Sequence, residues 1–325
     1  LFHIVPDIDL NLMQAAQTPS QVAARVLTSV ENVLLAERPD WILVQGDTTT
    51  VMAASIAAYH ARVKVGHVEA GLRTGDRHNP FPEEMNRVLA DHLSDWRFAP
   101  TPRAKENLLR EGIPPATIRI TGNTVTDALL QITNRPCPPE VMPLIEPGTK
   151  LILVTAHRRE SFGAPLRSIC AAIRELALEH TDVRFIYPVH LNPNVQEPVY
   201  EMLSGIPRIH LMPPADYLTL SHLMKQSTLI MTDSGGIQEE APSLGVPVLV
   251  LRETTERPEA VEAGAACLVG TDSKRIVAEA RRLLYNPQAH AAMALAVNPF
   301  GDGHASQRIA DLLIHGECQE FVAGT

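Results

Sequence analysis

The stretch Thr228-Leu-Ile-Met-Thr-Asp-Ser-Gly-Gly-Ile-Gln-Glu-Glu240 decides the fold. It reads as a buried strand, Thr228–Thr232, then a glycine turn, then a helix over Ile237–Leu244. A helix that opens behind Gly235 and Gly236 leaves its first N–H groups unpaired and bare of side chains, so an anion can approach them. This is the pattern of a phosphate seat. Glu240, one to two turns in, can accept hydrogen bonds from ribose hydroxyls, as acidic groups do in dinucleotide folds. The alternative is a tight turn with Ser234 as a simple N-cap.

The alternation of apolar run and helical pattern extends outward from this stretch along the whole chain, which makes the protein α/β with parallel sheets. A first set of strand candidates is Trp41–Val44, Val63–Val68, Trp96–Phe98 and Ile118–Thr121, separated by helix candidates Thr50–Ala61, Glu83–Leu93 and Lys105–Glu111. A second set, Leu151–Thr155, Val183–Val189, Ile209–Met212, Thr228–Thr232 and Pro247–Leu251, alternates with Leu166–Glu179, Tyr217–Lys225 and Ile237–Leu244. Strands this uniformly apolar predict helices on both faces of each sheet. Between the sets, Arg135–Lys150 holds five prolines and Gly148, the composition of a connection. The expected domains are therefore 1–145, 146–303, and a C-terminal helix and tail, 304–325, packing back toward the first. Two Rossmann-like, doubly wound domains bind ligands at the carboxyl ends of their strands; if those ends face each other, the site is the cleft between them.

Composition narrows the function. The chain has 325 residues, 45% of them hydrophobic, and a formal net charge of −9. That charge disfavours a grip on a nucleic-acid backbone, and 4% aromatic content disfavours stacking platforms. The longest stretch free of Asp, Glu, Lys and Arg, Leu283–Gly301, is interrupted by polar residues and prolines, so no membrane span is expected. Four scattered cysteines with no CxxC pair suit a reduced, cytoplasmic compartment. No metal-ligand spacing and no GxGxxG occur, so neither a metal nor another cofactor is expected.

Further chemistry gathers at the strand ends. Gln45-Gly-Asp-Thr-Thr-Thr50 puts Asp47 after the first strand, where either Asp47 or Thr48 could also cap the next helix. His67-Val-Glu-Ala-Gly-Leu-Arg-Thr-Gly-Asp76 brings Glu69 to the end of the second, at an equivalent position. Asn79-Pro-Phe-Pro-Glu-Glu-Met-Asn-Arg87 opens a helix with Glu83 and Glu84, and Glu83 with Arg87 reads as a structural i,i+4 pair. Thr155-Ala-His-Arg-Arg-Glu-Ser-Phe-Gly163 places His157, Arg158 and Arg159 where they suit a diphosphate. Arg257, in Arg252–Ala260, points to the site or lies in a surface loop. His190, in Tyr187–Asn194, is as open to a structural as to a functional reading.

With these residues assembled, the chain resembles the non-hydrolysing UDP-N-acetylglucosamine 2-epimerases from end to end. The matching stretches are Gly46–Thr50, His67–Asp76, Pro82–Glu84 with Asn86-Arg87, Thr121–Val125, His157–Gly163, Tyr187–Asn194, Asp233–Gly245 and Thr254–Glu259. The resemblance implies two domains of the glycosyltransferase-B type, a homodimer, and interconversion of UDP-GlcNAc and UDP-ManNAc for surface polysaccharide. It assigns Asp47, Glu69 and Glu83 as catalytic carboxylates supported by Arg87, His157 beside the diphosphate, and Ser234, Gly235, Gly236, Glu240 and Arg257 as UDP ligands. Two departures accompany it. Leu220 stands where the family often has an aromatic against the uracil, and the family's opening strand and Gly-Thr-Arg-Pro-Glu loop are missing ahead of Leu1. An incomplete first domain is therefore expected, with some UDP affinity and little turnover in these residues alone. The rival readings are a sugar transferase of the same fold, which needs an acceptor, a hydrolysing epimerase, and a UDP-sugar-binding protein without catalysis.

Overall fold

The computed structural model describes residues 1–14 and 16–323. They form two compact units, Leu1–Thr124 with Phe300–Val322, and Val125–Pro299.

The first unit opens with α1 (Pro19–Glu37), a helix whose start is fixed by a reciprocal pair: Thr18 accepts from the Gln21 N–H, and the Gln21 side chain accepts from the Thr18 N–H. Then follow β1 (Trp41–Gln45), α2 (Thr49–Ala61), β2 (Lys64–Val68), α3 (Glu83–Leu93), β3 (Trp96–Ala99), α4 (Pro102–Arg110) and β4 (Ile118–Ile120). The four strands are parallel, in the order β1-β2-β3-β4. Helices α1 and α2 bury Val26, Leu34, Val51 and Ala58 together with Val44 and Val65 of the sheet.

The chain continues through α5 (Thr124–Thr133), β5 (Lys150–Thr155), α6 (Ala164–Glu179), β6 (Val183–Pro188), α7 (Pro193–Leu203), β7 (Ile209–Met212), α8 (Tyr217–Gln226), β8 (Leu229–Thr232), α9 (Gly235–Glu240), β9 (Val248–Val250), α10 (Pro258–Glu262), β10 (Ala266–Leu268), α11 (Ser273–Tyr285) and α12 (Pro287–Ala294). This second sheet is also parallel, in the order β10-β9-β8-β5-β6-β7. The chain lays strands outward from β5 to β7, returns, and lays the other half outward from β8 to β10. That is the doubly wound Rossmann order, and its reversal lies between β5 and β8. Finally α13 (Ala305–His315) joins the first unit, where Ile309 and Leu312 pack on Val68 and Phe98.

Three local expectations need correction. Helical cover on both faces holds for the inner strands only: edge strand β1 leaves Leu43 51% exposed, and no residue of edge strand β7 is fully buried. The helix expected from Lys105 begins at Pro102, capped by Thr101, because proline suits the first helical turn. The helix expected from Ile237 begins at the glycines, and its second half, Ala241–Leu244, tightens into a 3-10 turn. The units divide at Thr124 and Pro299, where the sequence places boundaries at 145 and 303; α5 is tied into the second unit by Lys225 donating to the Thr133 carbonyl at 2.7 Å. Residues 324 and 325 of the expected tail lie outside the described residues.

Candidate active site

In the second unit, register aligns Thr155 with Thr232, and their hydroxyls meet at 2.6 Å where β5 and β8 end. This is the point of strand-order reversal. His157 and Arg158 leave β5 there, and Asp233 to Gly236 leave β8. Asp233 is fully buried, and its Oδ2 accepts the backbone N–H groups of His157 at 2.7 Å and Arg158 at 2.8 Å. One carboxylate thus locks the two strand-end loops together. Its other oxygen, Oδ1, has no hydrogen-bond partner and lies 3.7 Å from Nδ1 of His157. The His157 ring stacks on His190 with centroids 5.3 Å apart. Burial lowers the pKa of His157 below the ordinary histidine value; Asp233 opposes this, and His190 and Arg158 add to it. A neutral ring is favoured.

At the opening of α9, the Ser234 hydroxyl makes no capping bond, so the simple N-cap reading fails. A Cβ built on Gly235 would meet the Arg257 guanidinium at 3.4 Å and Nη2 of Arg158 at 3.6 Å. Two guanidiniums therefore flank the bare start of the helix. Arg257 is held by Glu239 at 2.7 Å, which places it at this turn instead of in a detached surface loop. Glu240 is buried and receives the Tyr217 hydroxyl at 2.6 Å. Burial pushes Glu240 up to about 7; the bond from Tyr217 opposes the rise and Glu239 adds to it. Tyr217 is the aromatic residue of this site that the reading centred on Leu220 passes over.

In the first unit, β1 and β2 end side by side, and the turns that follow them are both left-handed: Gly46 has φ +80° and Glu69 φ +66°. Positive φ is ordinary for glycine and costly for glutamate, about 1 kcal/mol or more, a cost that clusters at functional positions. A Cβ on Gly46 would lie 3.6 Å from Oε2 of Glu69, so that carboxylate hangs over the turn that carries Asp47. Thr48 caps α2 by accepting from Val51 N–H at 3.3 Å, which leaves Asp47 free for other work. Asp47 forms an ion pair with Arg87 of α3, and its carbonyl accepts from the Asn86 side chain at 2.9 Å.

The expected Glu83–Arg87 pair is not formed. Arg87 pairs with Asp47 and, at 3.4 Å, with Glu84. Glu84 is buried because it accepts the N–H groups of Thr74 and Gly75, both at 3.0 Å, and so anchors the loop after β2. Glu83 is half-buried in the first turn of α3, with no ion-pair partner among the described residues. Arg73, quoted with the loop, points inward to Asp91 at 2.6 Å and Glu111 at 2.7 Å. Among the described residues no group of three or more His, Cys, Asp or Glu could hold a metal ion, and no helix is long and apolar enough to cross a membrane.

The model of the UDP-N-acetylglucosamine 2-epimerase family matches residues 1–314. The chain belongs to this family. It is 51% identical to the UDP-N-acetylglucosamine 2-epimerase of Salmonella typhimurium, over 96% of this chain and 85% of that one. Among solved structures, the Neisseria meningitidis UDP-GlcNAc 2-epimerase bound to UDP-GlcNAc matches with a TM-score of 0.88 and 45% identity, over 96% of this chain and 86% of that one. The Methanocaldococcus jannaschii UDP-GlcNAc 2-epimerase in complex with UDP-GlcNAc and UDP matches with a TM-score of 0.77 and 38% identity, over 96% of this chain and 85% of that one. The fold of this epimerase family is the pair of parallel-sheet α/β units described above.

Proposed function

We propose that the chain interconverts UDP-GlcNAc and UDP-ManNAc by removing UDP from the sugar and adding it back. The observation that carries the reading is the pair of carboxylates on neighbouring strand ends, Glu69 over the Gly46 turn and Asp47 beside it. Membership of the family supports it.

The C2 proton of the sugar has no adjacent carbonyl and is not acidic in the ground state. If the C1–O bond breaks first, its electron pair leaves on the β-phosphate oxygen and C1 becomes oxocarbenium-like. The C2–H bond then yields its proton to a carboxylate, and its electron pair forms the C1=C2 bond of 2-acetamidoglucal. Asp47, Glu69 and Glu83 serve this step, because negative charge stabilises the cationic sugar and accepts the proton. Arg87 orients Asp47 through their ion pair. Meanwhile the N–H groups behind Ser234, Gly235 and Gly236, with Arg257 and the neutral His157, receive the departing diphosphate, and Glu240 takes the ribose. Re-addition reverses the bonds, with the proton delivered to the opposite face of C2. No electrons are gained or lost overall, so no redox partner enters the balance. The same reading carries a cytoplasmic homodimer that supplies surface polysaccharide, and light scattering of the purified protein tests the dimer.

The decisive experiment incubates the protein with UDP-GlcNAc alone. UDP-ManNAc should accumulate to a fixed ratio with no acceptor added. Release of free sugar and UDP, or dependence on an acceptor, would overturn the reading in favour of a hydrolysing epimerase or a transferase.

A further inference from the structure

One buried cluster lies outside the groups just used. His67, on β2 and two residues before Glu69, is fully buried and makes two ring contacts. Nδ1 lies 2.6 Å from Oδ1 of Asp91, and Nε2 lies 2.8 Å from the Gly46 carbonyl oxygen. A carbonyl oxygen only accepts, so Nε2 carries a proton. Asp91 is fully buried, and its other oxygen accepts from Gly71 N–H at 3.2 Å and from the Arg73 guanidinium at 2.6 Å. An Asp91 that faces these donors is a carboxylate, so Nδ1 carries a proton as well.

We infer that His67 is a positioning residue for the reaction: a buried imidazolium whose two ring protons tie the Gly46 turn to Asp91 and thereby set the Asp47 and Glu69 carboxylates. The Gly46 peptide is gripped from β2 on both sides, since its N–H donates to the Val68 carbonyl at 3.1 Å and its carbonyl accepts from His67. Asp91 in turn holds Gly71 and Arg73, on the loop that continues from Glu69. One ion cluster therefore fixes both strand-end turns that bear carboxylates.

The groups facing the cluster are Arg73, Arg97, Asp91, Asp95 and Glu111: Arg73 binds Asp91 and Glu111, while Arg97 donates to the backbone carbonyls of Asp91 and Asp95. Asp95 accepts from Val65 N–H. Asp95 is exposed and Glu111 partly exposed, whereas Asp91 is fully buried and meets the His67 ring on one oxygen and the Arg73 guanidinium on the other. Burial alone would raise Asp91, but the His67 ring and the Arg73 guanidinium hold it below the usual carboxylate range. A proton shared onto Asp91 from a neutral ring is thus disfavoured.

The kinetic part of this inference rests on the epimerase reading; the protonation part does not. The first arm of the test is ring-15N NMR of the unmodified protein at neutral pH, with His67 assigned through its backbone. Both ring nitrogens should show attached, slowly exchanging protons, and a ring with one bare nitrogen would overturn the proposal. The second arm is His67→Gln, which keeps a buried donor and loses the charge. Turnover should fall about a hundredfold, as a small displacement of reacting groups costs, while KM for UDP-GlcNAc and the affinity for UDP change less than about twofold. Unaltered turnover, or parallel loss of turnover and UDP affinity, would overturn it. If His67→Gln does not fold, Asp91→Asn carries the same kinetic comparison. Absence of epimerase activity in the parent bears on the proposed function alone, and the NMR arm still decides the clamp.

Discussion

The strand-end sites of the two units are electrostatic opposites. In the second, cations and bare N–H groups face the turn, and carboxylates stand behind them: Asp233 under the His157 and Arg158 backbone, Glu239 behind Arg257, Glu256 beside Arg158. In the first, carboxylates face the turn and cations stand behind: Arg87 on Asp47, with His67 and Arg73 on Asp91. A departing diphosphate and a sugar that turns cationic need opposite fields, each held rigid before the reaction starts. The same parallel-strand architecture carries both arrangements by exchanging which sign is presented and which is held behind it.

That contrast predicts separable losses. The largest is Glu69→Gln, which should cut turnover about a thousandfold, the scale of losing a positioned acid or base, while UDP affinity stays within about twofold by calorimetry. Comparable loss of both would erase the distinction between the units. Next, Gly235→Val pushes its γ-carbons toward Arg257 and Arg158 and covers the helix start, so UDP affinity should fall about ten- to a hundredfold, the worth of one or two charge-assisted hydrogen bonds. Undiminished affinity would remove the phosphate seat from α9.

A smaller effect concerns pH. Glu240, raised to about 7 by burial, ionises as pH rises through that value. A carboxylate accepts from ribose hydroxyls better than a carboxylic acid, so affinity for UDP-GlcNAc should rise about fivefold across this window. In Glu240→Gln the profile should be flat, and a retained slope would assign it elsewhere. Because the folded value lies above the ordinary one, the stability this group contributes is present at acidic pH and lost as pH rises toward about 7. Glu240→Gln should therefore raise thermal stability at neutral pH by up to about 2 kcal/mol, read by calorimetry, even as it weakens binding. Loss of stability would contradict the burial argument.

The strand-end geometry of the second unit was largely legible in the sequence, that of the first unit only in part. The phosphate seat is local: strand, two glycines and helix follow one another within Thr228–Glu240, and the alternation of apolar runs gives the parallel sheets around it. Asp47 and Glu69 were visible because both sit where a strand stops. Their supports were not visible, since His67 meets Asp91 across 24 residues and Asp47 meets Arg87 across 40, and the local i,i+4 rule chose Glu83 for Arg87 instead. Tyr217 on Glu240 was hidden for the same reason, because a contact between helices leaves no periodic trace. A histidine between Gly66 and Val68 in the buried part of β2, at position 67, was the one signal that could have led inward.

The carbon that the first unit is held to act on can be watched without any variant. UDP-GlcNAc incubated with the protein in deuterated water, followed by proton NMR of the C2 position, reports whether that bond opens to solvent. Elimination and re-addition predict that deuterium replaces the C2 proton in both epimers as they equilibrate. Retention of the C2 proton in the UDP-ManNAc formed would contradict the account.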